Sequence, residues 1–251
     1  MKRVGIIQGR LTHPREGFQD CPSDWQREFN LLKKIGLTHV EWIVTKENYN
    51  KNPIHSEDLK SFNISSICVD FLVQEDFLSD ETYWDQLEDI CVLAFKNEIP
   101  FVTIPLLEGS SVVDKSKRIE VISRLEKICY KFPFLNFSIE AELGCEEVLE
   151  IVEKFDNVYI TYDTGNMTSF GVDHCNYIDS SFHKINNVHL KDRDLKAVTH
   201  IPGDGMTPFI DIFKHLKQKG YNGLYTMQTA REEAGHEVET IAKHLKYFME
   251  R

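Results

Sequence analysis

Four stretches carry side chains that could work together on a small molecule. They are Ile139-Glu140-Ala141-Glu142, Tyr162-Asp163-Thr164-Gly165-Asn166, Val188-His189-Leu190-Lys191-Asp192-Arg193 and Met227-Gln228-Thr229-Ala230-Arg231. Each continues a run rich in Val, Ile, Phe and Tyr, so each ionisable or amide group stands where an apolar segment ends. Two carboxylates (Glu140, Asp163), one imidazole (His189) and one amide oxygen (Gln228) would make a mixed nitrogen and oxygen site for a divalent cation. Singly, each has a plainer use: a carboxylate at a strand end caps a turn or helix, and a lone histidine is a hydrogen-bonded core residue. Together they are hard to accommodate in an apolar interior unless they pair with one another or with a metal.

The elements that would position them can be read from the same chain. Eight β-rich runs occur, at Val4–Gln8, Thr38–Val44, Ser65–Phe71, Phe101–Pro105, Asn136–Ala141, Val158–Tyr162, Asn187–Lys191 and Gly223–Gln228. Their mean spacing is about 31 residues, the length of a strand and its crossover helix. Few charges lie inside them, as expected of parallel strands covered on both faces. Helix signals fill the intervals. Ser23 and Gln26 form a capping-box pattern before Phe29, Leu32 and Ile35, with Gly36 placed to end the helix. Asp80 and Asp114 open two more helices, and Glu146–Phe155, Pro208–Lys219 and Glu237–Met249 supply three others. Ser56–Phe62 and Asp173–His183 are short or poorly periodic and should form stunted helices. Eight such units in 251 residues favour a closed (β/α)8 TIM barrel over an open doubly wound sheet. Gln8-Gly9-Arg10 after the first strand is also not a dinucleotide-binding turn. The absence of a linker-like stretch predicts one domain over residues 1–251.

Composition narrows the function. The 29 Lys and Arg against 40 Asp and Glu give a net charge of −11, which disfavours a nucleic-acid partner. The N-terminal apolar run Val4–Ile7 is too short for a signal-peptide core or a membrane span. Six cysteines without a C-x-x-C pair read as reduced thiols, and the N-x-[ST] triplets at Asn63, Asn136 and Asn166 carry no meaning without secretion. A cytoplasmic protein is expected, with room for a homo-oligomer.

The ordered set of Ile139-Glu140, Tyr162 to Asn166, Val188 to Arg193, Gly203-Asp204-Gly205 and Gln228 to Arg231 resembles the sugar phosphate isomerase/epimerase family, the xylose-isomerase-like TIM barrels. Gly9-Arg10-Leu11 and Val40-Glu41-Trp42 extend the resemblance more loosely into the first half. It implies that Glu140, Asp163 and His189 are metal ligands for Mn, Mg, Co or Zn. Many members carry a second catalytic glutamate on strand eight, where this chain has Gln228; its amide oxygen can ligate a cation, but it cannot act as a base.

The chemistry so implied is proton abstraction beside a carbonyl of a small carbohydrate, with the cation stabilising an enediolate. Glu140 or Glu142 would move the proton, and Lys191 could serve the opposite face. Without a strand-eight carboxylate, one-base isomerisation or dehydration is favoured over two-glutamate epimerisation. Arg10, Arg193, Arg231 and His200 are candidates to bind the substrate, the arginines through an anionic group. Asp192 could neutralise Lys191 or orient His189, and the loop Ile201–Gly205 could cover the site. Glu41 and Asp70 have no evident partner in the sequence. The alternatives are an inosose-dehydratase-like lyase, a barrel that only binds a ligand, and, disfavoured by charge and histidine placement, an endonuclease IV-like nuclease.

Overall fold

The computed structural model describes residues 1–13 and 21–251. Every expected strand forms there, with ends shifted by a few residues: β1 (Val4–Ile7), β2 (Val40–Ile43), β3 (Ile64–Cys68), β4 (Phe101–Leu106), β5 (Asn136–Ala141), β6 (Val158–Asp163), β7 (Ile185–Leu190) and β8 (Leu224–Met227). They join in the order β1-β8-β7-β6-β5-β4-β3-β2 as a closed barrel. Strand β1 runs parallel to β2 and β8, β8 to β7, and β5 to both β4 and β6. The chain forms two compact units, Met1–Glu41 with Tyr162–Arg251, and Trp42–Thr161.

In the first unit, α1 (Trp25–Lys34) buries Trp25, Phe29 and Leu32 at helical spacing, and Gly36 follows with φ 84°. The expected capping box does not form. Asp24 is the N-cap, and its φ −106°, ψ 57° departs from the extended backbone that lets a cap side chain reach the first amides. After β6 come two short helices where one stunted helix was expected, α5 (Thr164–Phe170) and α6 (His174–Ser181). α7 (Phe209–Gln218) and α8 (Glu237–Met249) complete the unit, with Phe209 packed edge-on against Phe248 at 5.1 Å.

In the second unit, α2 (Glu81–Lys96), α3 (Lys115–Lys131) and α4 (Cys145–Val152) follow β3, β4 and β5. Asp80 and Asp114 cap the first two by accepting from Thr82 N and Ser116 N. No helix forms over Ser56–Phe62. The chain after β2 turns instead through two single 3-10 turns, Tyr49–Lys51 and Pro53–His55. Asn52 holds them by accepting from Trp42 Nε1 and Ile54 N and donating to the Ile43 carbonyl. Among the described residues no cysteine is in a disulfide, and no helix is long and apolar enough to cross a membrane.

One glycine is dictated by close approach. A Cβ on Gly5 would lie 2.2 Å from the His39 ring and 2.4 Å from the His39 carbonyl oxygen. Gly5→Ala should therefore destabilise the protein by about 1–3 kcal/mol in denaturant unfolding. Adding His39→Ala should restore part of that loss, since it clears the ring but leaves the backbone contact.

Candidate active site

Asp163 ends β6 and opens α5, and its two oxygens divide the work. Oδ1 accepts from the Asn166 amide at 2.8 Å, capping the helix. Oδ2 faces the Lys191 ammonium at 2.8 Å and His189 Nδ1 at 3.8 Å. Asp163 is 1 % exposed. Burial alone would raise its pKa, but Lys191, then His189 and the Asn166 amide, outweigh burial and hold it below the ordinary carboxylate range. The turn-cap reading of Asp163 is thus met by Oδ1.

Lys191 comes this close because Gly165 has no side chain; a Cβ there would meet Lys191 Cγ at 2.8 Å. Thr164 fixes the backbone between them, its hydroxyl lying within hydrogen-bond distance of the His189 and Lys191 carbonyls. His189 is wholly buried, and its Nε2 lies 2.8 Å from Oε2 of Glu41, also wholly buried. Glu41 therefore has a partner 148 residues away.

Gln228 follows β8, its amide N–H bonded to the Leu190 carbonyl. It is buried, and its Oε1 has no hydrogen-bond partner among the described residues. Three residues on, Arg231 donates through Nη2 to the Gly9 carbonyl. Arg10 is buried beside Arg231; burial first, and then repulsion from Arg231, push its pKa down to about 9. Glu28 of α1 shapes this corner by accepting from Gly9 N at 2.8 Å and Leu11 N at 3.0 Å. A cavity of about 120 Å³ opens here, lined by Arg10, His13, Arg231, Glu237 and Ile241 among others.

One expectation needs correction. Asp192 neither pairs with Lys191 nor orients His189 among its resolved contacts; its carboxylate accepts from the backbone of Gly203, Gly205 and Thr207. That clamp ties down the 201–205 loop expected to cover the site. His200 contacts Asp194 at 3.1 Å, and Arg193 reaches Thr199, so both are engaged in the two-residue ribbon of Asp192–Arg193 with Thr199–His200. In the second unit, Glu140 is buried at the end of β5 and Glu142 is half-buried just beyond it. Sequence reading missed Glu28, Asn187, His39 and His174. Only Glu41 gave a signal, a carboxylate inside the apolar Val40–Ile43 run.

The first-unit residues fit a divalent cation. Asp163 Oδ2 and His189 Nδ1 face each other at 3.8 Å, beyond hydrogen-bond distance. A carboxylate behind the imidazole, at its other nitrogen, is the usual support of a metal-bound histidine. The Gln228 oxygen is a further buried acceptor in search of a positive partner.

The sequence profile of the family described as xylose isomerase-like TIM barrel matches residues 29–251. The chain belongs to this family. Among individual proteins it is similar to the inosose dehydratase of Geobacillus thermodenitrificans (strain NG80-2), at 29% identity over 109 residues. That alignment covers 36% of this chain and 37% of the dehydratase, so the match spans well under half of that relative's length. In fold it is similar to the IOLI protein with a bound zinc atom, with a TM-score of 0.75 at 13% identity over 98% of this chain and 97% of that one. D-psicose 3-epimerase with D-tagatose from Clostridium cellulolyticum H10 gives 0.73 at 13% identity, over 99% and 98%.

Two buried histidines make stability depend on pH. Burial pushes His39 and His174 from 6.5 down to about 4, against opposing pulls from Glu41 and Asp173 respectively. Their folded pKa lies below the unfolded one, so the unfolded chain binds more protons between the two values. Stability is complete above about pH 6.5 and falls as pH drops toward 4, by up to about 3 kcal/mol for each histidine. Denaturant unfolding at pH 7 and pH 4.5 should show the loss, and His174→Gln should reduce it.

Proposed function

We propose that this chain is a cytoplasmic, single-domain, metal-dependent isomerase or epimerase acting on a sugar, sugar phosphate or small hydroxy-keto compound. The observation that carries the reading is the buried pair of Asp163 and His189, with Glu41 behind the imidazole; Gln228, whose backbone N–H is bonded to the carbonyl of Leu190, adds a buried amide oxygen. Asp163, His189 and Glu140 are all buried, and each can offer one ligand atom. With Gln228 they form a donor set of three oxygens and one nitrogen, suited to Mn2+, Mg2+, Co2+ or Zn2+. A divalent ion held there supplies Lewis-acid stabilisation to the oxygens of an enediolate.

The protein's own groups carry the proton. Glu140, or Glu142 two residues on, takes it from the carbon beside the carbonyl and returns it to the carbonyl carbon, while the proton of the neighbouring hydroxyl passes to the former carbonyl oxygen. Lys191, ion-paired to Asp163, is the group available as an acid on the other side. Gln228 cannot take a proton, so the reading favours a reaction that one base can complete. Arg10 and Arg231 bind the substrate's anionic end, their mutual repulsion being relieved by the incoming charge. Arg193 and His200, outside the lining of the cavity beside Arg10 and Arg231, are assigned as further substrate contacts.

A second reading, a dehydratase of a cyclic polyol ketone, is favoured by the similarity to inosose dehydratase. It begins with the same proton abstraction and differs in losing water afterwards.

Metal analysis and incubation with ketoses, their phosphates and inososes in deuterated water test the proposal together. Bound divalent ion is expected, with deuterium entering one substrate beside its carbonyl. Glu140→Gln should slow that exchange by at least about 100-fold. Net loss of water would select the dehydratase. Neither metal nor exchange would leave a barrel that only binds a ligand.

A further inference from the structure

The buried polar residues behind His189 form a connected chain that reaches well past the candidate metal ligands. Glu41 Oε2 receives two donors, His189 Nε2 at 2.8 Å and Asn187 Nδ2 at 3.0 Å. A carboxylate only accepts, so Asn187 must present its amide nitrogen to Glu41 and turn its oxygen the other way. That oxygen accepts from the Thr226 hydroxyl at 3.0 Å. Thr226 in turn lies 3.4 Å from His39 Nε2, and His39 Nδ1 lies 2.8 Å from the Thr38 hydroxyl. Glu41, His189 and Thr226 have no exposed surface, and Asn187 and His39 have 2 % and 3 %.

The direction of these bonds determines what His189 can present. The contact with a carboxylate puts a ring proton on Nε2, so Nδ1, on the side of Asp163, is the nitrogen that a neutral ring would turn toward a cation. Asn187 fixes Glu41 from a second direction, and Thr226 fixes Asn187, so the carboxylate cannot swing away without breaking bonds in a dry interior.

We propose that Glu41 is a positioning residue for the metal centre, holding the His189 ring so that Nδ1 is the ligating nitrogen, with Asn187 and Thr226 locking the carboxylate in place. The assignment rests on the metal-dependent reading above and adds to it a residue outside the ligand set.

Zinc binding measured by chelator competition, without substrate, tests it. Glu41→Ala removes charge and acceptor and should weaken zinc binding by about 100-fold. Glu41→Gln can keep an oxygen toward both donors but loses the charge, and should weaken it by about 10-fold. Equal affinity in wild type, Glu41→Gln and Glu41→Ala would overturn the assignment while sparing the metal site. Failure of the wild type to bind any divalent ion would overturn both. Nitrogen-15 NMR of the histidine rings in zinc-loaded wild type keeps the test open if Glu41→Ala does not fold. His189 should show a protonated Nε2 and a metal-bound Nδ1, and a metal-bound Nε2 would refute the role of Glu41.

Discussion

Four ionisable groups meet where water does not reach, and the rest of the first unit is arranged to make that tolerable. Glu41, Asp163, His189 and Lys191 are between 0 % and 7 % exposed. A buried charge without a partner costs several kcal/mol, so each must be compensated by a neighbour held at contact distance. Lys191 compensates Asp163, Glu41 accepts from the His189 ring and from Asn187, and the Asn166 amide donates to the second Asp163 oxygen. Close approach in turn demands missing side chains. Gly165 lets Lys191 lie flat against α5, and Gly5 makes room for His39 at the far end of the same polar chain. The site is thereby tied to strand register: a slip of β2 by one residue would turn Glu41 away from β7 and leave an unpaired carboxylate in the interior.

The same logic separates what could be read along the chain from what could not. The strands were legible because parallel strands covered on both faces are continuous apolar runs, and the candidate ligands were legible because they interrupt those runs at their C-terminal ends. Local polar chemistry was harder. Asn48 and Asn52 resemble ordinary loop residues, yet Asn52 alone satisfies Trp42, Ile43 and Ile54 and so replaces a helix with two tight turns. Thr164-Gly165-Asn166 reads as a turn, but the Asp163 cap carries it into α5. Glu41 stood out as a charge in an apolar strand, but its partner lies 148 positions away and no spacing rule connects them. Asp192 was misread for the opposite reason. Its neighbour in sequence, Lys191, suggested an ion pair, whereas three backbone amides of the 203–207 loop take its carboxylate.

Gln228 gives the site its individuality. An amide at this position keeps an oxygen for a cation and gives up the capacity to exchange a proton. On the proposed function, acid–base chemistry is assigned to Glu140 or Glu142 and to Lys191, and recognition of charge on the substrate to Arg10 and Arg231. Arg10 is raised in energy by its burial and by Arg231, so an anion brought to that corner would gain more than it would at an exposed arginine.

The central claim is that Asp163 and His189 share a divalent cation backed by Glu41. Anomalous diffraction from crystals grown with Mn2+ or Zn2+, collected on either side of the metal's absorption edge, tests it most directly. The account predicts one peak in ligand contact with Asp163 Oδ2 and His189 Nδ1, with Nε2 still bonded to Glu41. Crystals without a peak at these atoms, in which Lys191 alone faces Asp163, would contradict it.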